Sequence, residues 1–596
     1  FRSTFPGIGQ IALNTRSWMY ARCVTDDADH FSGNGRVTGG HIKVIGKDAD
    51  GTLTCWMYLE RTGPSGQAAQ NVGMVFKVHP SEGSLEIRKS SALPELTAGN
   101  ACYSLAGAEY TVYRAGTSEA VGQLVTDETG YGRLEGLPAG TYEVEETKAP
   151  QGYLLDEERR TVTVNSGETA VYACTDMPGN DPVQVLLVKR DAETGSPQAG
   201  ARLEGAEYTV RYYDGIYSSD PAPEGKAAKR QWVFRTDGDG VILFDPEHRV
   251  SGDDFWLGTD GIPVLPLGTL TIQESKAPEG YLLNDTVYVA NTTADGGQSV
   301  VTANLPNSEE RPAEERIIRG DLEFTKVDAD DQSPMSGIPF TLTSCSTGES
   351  HRIVTGENGY YSTAAGYVPH TQNTNRGISA EDGVWFGGGK PDDSLGALPY
   401  DTYLLEEQPC ETNKGKDLVS LEVTVSRDDF AVELGSIDNY TVELHTSAAD
   451  TATGTKTVAP SGEASVTDTV TFRNLTAGRT YTMSGRLMVK ETGEELISDG
   501  KPVTAEVEFV PETKNGTVDM TFVFDASDLA GQKLVAFEKL TWKGISVAAH
   551  EDLDDEGQTV YIPEIRTTAA DRDTESHVGK AREDAVIVDT VEYSGL

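Results

Sequence analysis

Along most of the chain apolar and polar residues alternate with a period of two, as in YTVYRAG (110–116) and YEVEETKAP (142–150). Glycine-rich turns interrupt these runs about every ten residues, the pattern of short antiparallel strands packed as a sandwich. Helical periodicity is nearly absent, and DLAGQKL (528–534) is the best candidate for a turn or two of helix. The expected class is all-β.

The alternating runs come in copies. LPAGTYEVEETKAPQGYLL (137–155) is nearly repeated as LPLGTLTIQESKAPEGYLL (265–283), and LAGAEYTVY (105–113) as LEGAEYTVR (203–211). SGIPFTLTS (336–344) followed by LPYDTYLLEEQP (398–409) supplies a third copy. Each copy opens with an apolar strand ending in lysine, at Lys89, Lys189 and Lys326, and closes with a strand ending in an acid or amide, at Asp176, Asn304 and Asn439. A glutamate lies between them, Glu146, Glu274 and Glu407, with 30, 30 and 32 positions from glutamate to closing residue. The lysine-to-glutamate separation varies as 57, 85 and 81, so insertions are tolerated in one half alone. In the first copy Glu143 and Glu145 alternate with Val144 and read as solvent-facing, whereas Glu146 breaks the alternation.

The expected domains are therefore residues 81–180, 181–308 and 321–440, with 309–320, charged and lacking apolar periodicity, as a linker. A different unit covers 441–562. Its opening ELHTSAAD returns as EIRTTAAD 121 residues later, so 563–596 reads as the truncated start of a second such unit in an array that continues further. Residues 1–80 match neither type and read as the end of an upstream β domain, with NVGMVFKVHP (71–80) as its final strand.

Composition narrows what such an array does. A formal net charge of −45 repels phosphate backbones, which argues against nucleic acid as a partner. No apolar run is long enough for a membrane-spanning helix, so no membrane insertion is expected in this segment. Six cysteines without a CxxC pair offer no metal centre, and neither metal nor cofactor is expected. Cys102 and Cys174, read as lying on the second and last strands of the first copy, are candidates for a disulfide. The chain begins at Phe1 and carries neither a signal peptide nor a wall-sorting signal, so it reads as a piece of something longer.

A lysine on the first strand and an Asn or Asp on the last become neighbours if those strands pair. Burial disfavours the charged amine, and a neutral amine is a nucleophile. A buried glutamate is pushed towards its protonated form, which can hydrogen-bond the acceptor and polarise its carbon. The three side chains could then join in an isopeptide bond; the alternative is a salt bridge or an ordinary surface lysine.

The pattern Lys…LPxGxYxxxExxAPxGY…Asn, over roughly residues 83–440, resembles the SpaA-like, collagen-adhesin B-type domains of Gram-positive pilins and surface adhesins. The resemblance implies tandem immunoglobulin-like β-sandwich domains arranged as an elongated rod, each closed by an internal Lys–Asn or Lys–Asp bond. By position the triads are Lys89/Glu146/Asp176, Lys189/Glu274/Asn304 and Lys326/Glu407/Asn439. The third copy departs from the pattern, reading EEQPCETNKG with no APxGY.

In the fourth unit LVAFEKL (534–540) and HEDLDDEGQTV (550–560) resemble the VaFE-type repeat, which implies a Thr–Gln ester bond. Matched by motif, Thr446 is the nucleophile, Gln558 the acceptor, and Asp468, Glu538 and His550 the helpers. A hydroxyl needs a base to take its proton, and a histidine oriented by a carboxylate is the usual one. A second acid kept protonated by burial can polarise the amide while ammonia leaves. Thr567 and Asp589 would serve the following repeat.

TDGDG (236–240) resembles the start of a calcium loop, but it aligns with TDETG (126–130) and TGENG (355–359), so hairpin turns are expected. LPAGT, LPLGT and LPYDT reverse the order of a sortase signal and read as strand-entry turns. Trp256 and Trp385 fall in long glycine-rich insertions, where an aromatic could contact a glycan or protein or else pack the insertion onto its own domain.

The leading reading is a structural stalk, extracellular and cell-wall anchored through a region absent from this chain. A sortase acting on that region, and a host or neighbouring-cell surface protein or glycan, are the expected partners. The protein is not expected to be an enzyme beyond single-turnover crosslinking of itself. The alternative is a carbohydrate- or receptor-binding module acting through residues 1–80 or the two Trp loops.

Overall fold

The computed structural model describes residues 82–372 and 383–594, together with strand segments within residues 2–78. The regular structure among its described residues is almost entirely strand, as the alternation predicts. DLAGQKL forms turns, because Gly531 adopts the left-handed region (φ 85°), and the strand Lys533–Trp542 begins before the motif ends. A short α-helix lies instead at Pro94–Thr97, started by its own proline.

The chain divides into two units. One comprises Phe1–Arg190, Leu203–Pro278 and Leu283–Glu314; the other comprises Asp191–Arg202, Glu279–Leu282 and Glu315–Leu596.

The first unit opens with the antiparallel pair Arg2–Phe5 and Gly9–Ala12, followed by an antiparallel sheet of Met19–Tyr20, Arg36–Lys47, Leu53–Thr62 and Ala68–Val78, in that order. Two sheets then face one another. Tyr131–Pro138, Glu82–Ser91 and Thr169–Asp176 form one, with Glu82–Ser91 central and parallel to Thr169–Asp176. Arg160–Val164, Gly140–Lys148, Glu109–Arg114 and Ala120–Val125 form the other. Leu85, Ile87, Tyr110, Val112, Tyr142 and Val144 fill the space between.

The second copy repeats this plan with a larger outer sheet of six strands, from Arg249–Gly252 to Val300–Ala303. Its inner sheet contains Val241–Leu243, Val185–Asp191, Arg311–Glu315 and Asn307–Ser308, in that order. The stretch expected to be a linker therefore supplies a strand of the domain. In Arg311–Glu315 only Ala313 and Glu315 are fully buried, a two-residue repeat hidden from a hydrophobicity reading because one inward residue is charged.

In the other unit Arg319–Asp328 takes the central place, parallel to Ala431–Asn439, opposite a sheet of Ser350–Val354, Pro339–Ser344, Asp401–Glu407 and Ser420–Val425. Residues from Glu443 onward build another sandwich, with Glu443–Asp450, Ala464–Arg473 and Gly516–Phe524 on one side and Tyr481–Val489, Lys533–Trp542 and Ile545–His550 on the other. Finally Glu564–Asp571 pairs with Ile587–Ser594, Ala569 level with Asp589, which repeats the pairing of Ala448 with Asp468.

Strand parity carries the polar residues inward. Tyr142, Val144 and Glu146 share one face of Gly140–Lys148, as do Tyr403, Leu405 and Glu407 on Asp401–Glu407. Leu85, Ile87 and Lys89 do so on Glu82–Ser91. Glu146 thus continues the inward series, and it is the apolar character that stops there, not the alternation.

Candidate functional site

The parallel pairing of first and last strands sets Lys89 level with Cys174 and puts Asp176 two positions on. Lys89, Glu146 and Asp176 meet in the core, all buried. Lys89 Nζ donates to Glu146 Oε1 at 2.6 Å and to the Tyr110 hydroxyl at 2.6 Å, and pairs with Asp176 Oδ2. Burial pushes the Asp176 carboxyl up to about 6, against the opposing pull of Lys89.

Arg319–Asp328 and Ala431–Asn439 repeat the register, with Lys326 level with Ile437 and Asn439 two positions on. Here the three side chains form a hydrogen-bonded chain. Lys326 Nζ donates to Asn439 Oδ1 at 2.9 Å, while Asn439 Nδ2 donates to Glu407 Oε1 at 2.7 Å. Burial lowers Lys326 to about 8, with Glu407 opposing. The amine faces the carbonyl oxygen, and the amide nitrogen faces the acid.

In the second copy Lys189 and Glu274 meet at 2.6 Å and burial lowers Lys189 to about 8. Asn304 does not join them, contrary to the sequence-based expectation. It is exposed and left-handed (φ 69°), just past Val300–Ala303, an edge strand of the six-stranded sheet and not of the sheet that holds Lys189. The 30-residue spacing was coincidental: an added hairpin keeps the chain in the outer sheet where the first copy crosses over.

Two further contributors escaped notice. Tyr110 and Tyr208 stand directly across from Glu146 and Glu274 and accept from the lysines; Phe340 takes that place opposite Glu407. The repeated GAEYTV was the available signal. Gly130, Gly240 and Gly359, at the tips of the hairpin turns, each accept a hydrogen bond from the backbone N–H of Lys89, Lys189 or Lys326. Each has positive φ, and a Cβ there would run into the carbonyl of the same lysine.

The fourth unit assembles its candidates from four strands, which carry Thr446, Asp468, Glu538 and His550, and from the turn before Thr559–Tyr561, which carries Gln558. Glu538 lies level with His550, and Asp468 with Ala448. Ala448 N–H donates to Gly557 at 3.0 Å, which ties the strand of Thr446 to the segment of Gln558. Gln558 Nε2 donates to Glu538 Oε2 at 2.6 Å, and His550 Nε2 lies 3.2 Å from Asp555 Oδ2. Burial, then the neighbouring Asp468, pushes Glu538 up to about 10, so it stays protonated at neutral pH; burial also raises Asp468. Asp555 was not among the expected residues, although HEDLDDEGQ contains it.

Other expected contacts are not made. Trp256 and Trp385 are 4% and 1% exposed, so neither is presented to a ligand. Arg230 and Arg319 stack on them at 3.7 and 3.9 Å, and Trp385 Nε1 donates to Gly389 O. Cys102 and Cys174 are free thiols; Cys102 lies on a turn beside Tyr103 and Tyr153, whereas Cys174 lies beside Tyr110.

Residues 98–177 and 184–306 match the SpaA prealbumin-like fold domain, and residues 442–562 and 563–596 match the T-Q ester bond containing domain. These segments are SpaA prealbumin-like and T-Q ester-bond domains. Residues 321–440 repeat the two-sheet topology of the first SpaA domain. Among solved structures the chain is similar to the TIE protein of Bacillus anthracis (18% identity, 74% of each chain covered, TM-score 0.41). It is also similar to BcpA, the major pilin subunit of Bacillus cereus (15% identity, 61% of this chain and 100% of that one, TM-score 0.25). A third is an adhesin from Mobiluncus mulieris containing intramolecular disulfide, isopeptide and ester bond cross-links (15% identity, 26% and 75%, TM-score 0.19). No curated protein matches. No helix among the described residues is long and apolar enough to cross a membrane.

Proposed function

We propose that this chain is a structural stalk of a cell-wall-anchored surface adhesin or pilin-related protein, whose domains close themselves covalently in single-turnover reactions. The arrangement of Lys326, Asn439 and Glu407 carries the reading, since an amine, a carboxamide and an acid meet there in the order of attack and departure. Neutral Lys326 Nζ attacks the Asn439 carboxamide carbon, Glu407 passes a proton to the departing nitrogen, and an amide and ammonia result. The same attack by Lys89 on Asp176 releases water.

In the T-Q domain the hydroxyl of Thr446 attacks the Gln558 carboxamide carbon. Protonated Glu538, in contact with Gln558 Nε2, supplies the proton for the leaving nitrogen, and His550 steadied by Asp555 takes the proton of Thr446. Each bond ties an early strand of its domain to a late one, so tension along the chain loads a covalent bond instead of a ladder of hydrogen bonds. On this reading the protein lies outside the cell, a sortase attaches its parent to the wall, and a surface protein or glycan is what the stalk presents to or meets.

Intact mass of the folded, purified chain tests the reading. One water is lost at Asp176 and two ammonias at Asn439 and Gln558. A mass equal to that of the sequence overturns it.

A further inference from the structure

Lys189 keeps its glutamate and its tyrosine, yet the residue expected to receive it, Asn304, belongs to the wrong sheet. Strand order points to another acceptor. The central strand is flanked by Thr169–Asp176 in the first SpaA domain, by Ala431–Asn439 in the third copy, and by Arg311–Glu315 in the second domain. A single backbone hydrogen bond fixes the alignment in all three. Three residues after the lysine, Ala92 N–H donates to Asp176 O at 2.8 Å and Ala329 N–H to Asn439 O at 2.9 Å; Ala192 N–H donates to Glu315 O at 2.8 Å. Glu315 therefore stands where Asp176 and Asn439 stand. It is 1% exposed, and the residue two before it, Ala313, faces inward as Ile437 does.

We propose that Glu315 is the acceptor of Lys189, so that the second SpaA domain closes through a Lys–Glu isopeptide bond. This rests on the self-crosslinking reading above. Lys189 Nζ, as the neutral amine, attacks Cδ of the protonated Glu315 carboxyl. Glu274 takes a proton from the nitrogen and returns one to the departing hydroxyl, so Nζ–Cδ forms, C–O breaks and one water leaves. Glutamate adds one methylene to the reach of aspartate while keeping the same carboxyl chemistry.

The full chain would then lose two waters and two ammonias, the second water being that of Lys189 and Glu315. Peptide mapping of the protease-digested chain should yield a branched peptide joining Lys189 to Glu315, and Glu315→Ala should restore one water. Because Glu315→Ala can disturb folding, Glu315→Gln is the sharper test. Its reaction expels ammonia in place of water, so the matured variant has the same mass as the matured wild type. A purely structural Glu315 would leave the variant unreacted, with the slightly lower mass of the substituted sequence. Asn304→Ala should form every bond. A linear Lys189 peptide, or one joined to Asn304, in a chain whose Lys89–Asp176 and Lys326–Asn439 bonds are present, overturns this assignment and leaves the stalk reading standing. If all three lysine peptides are linear, the stalk reading falls as well.

Discussion

On the self-crosslinking reading, the third copy and the T-Q domain solve one problem with the same acceptor device and different nucleophiles. In both, a buried glutamate accepts from the carboxamide nitrogen, Glu407 from Asn439 at 2.7 Å and Glu538 from Gln558 at 2.6 Å. They differ in how the attacking group is prepared. On the self-crosslinking reading, burial lowers Lys326 to about 8, which brings its neutral, nucleophilic form within reach, so its site needs no histidine. A threonine hydroxyl gains little from burial, and its site brings a histidine, a second carboxyl and a protonated acid. Desolvation serves for an amine; an alcohol needs a base.

The largest effect should separate the two glutamates. Glu407→Ala removes both the crosslink and the charge partner of a buried lysine, and breaking a buried pair costs about 3–5 kcal/mol. Closing a loop of the 113 residues that separate Lys326 from Asn439 contributes about another 5 kcal/mol in chain-entropy terms. Glu538→Ala removes an acid that is already neutral, so the loss should be mainly that of the ester. Urea unfolding of the two variants should rank Glu407→Ala as the less stable, and equal losses would break the comparison.

Next in size is the base. His550→Ala should slow ester formation by about 10²–10⁴-fold, the usual contribution of a general base, and leave the isopeptide bonds untouched. Mass spectra recorded at intervals after refolding would read both at once.

The same time courses at different pH should sharpen the contrast. With Lys326 at about 8, the neutral amine becomes more abundant as pH rises towards 8, so the rate of its bond should climb roughly in proportion and then level off. Glu538 at about 10 stays protonated over that range and imposes no such climb on the ester. Parallel profiles for the two bonds would remove desolvation as the switch.

The smallest effect is expected at Phe340. Phe340→Tyr supplies the hydroxyl that Tyr110 and Tyr208 offer their lysines, and should change stability by no more than about 1 kcal/mol without preventing the bond.

The sheet architecture and most of both sites were legible in the chain because repeats place the same residue type at the same parity. Lys89, Lys326, Glu146 and Glu407 each sit two positions beyond an apolar inward residue, so alternation carries them into the core. Asn304 was misplaced because counting along the chain cannot tell a hairpin that stays in its sheet from a crossover to the facing one. Glu315 was missed for a related reason, since a charged inward residue in PAEER makes a strand resemble a linker. Trp256 and Trp385 looked available because their neighbours are glycines and aspartates, but the arginines that cover them lie far away in sequence. Thr446, Glu538, His550 and Gln558 were found through short motifs, while Asp555 was hidden among the acids around it.

The glycine at each hairpin tip would give the proposed crosslinks a sense of order. Gly130, Gly240 and Gly359 press against the backbone of Lys89, Lys189 and Lys326, and leave no room for a side chain between. A lysine whose hairpin has not closed would stand in water and keep its proton, and so would not attack. On the self-crosslinking reading, the irreversible step would wait on a local check of correct folding, and a finished bond would be a permanent receipt that the check was passed.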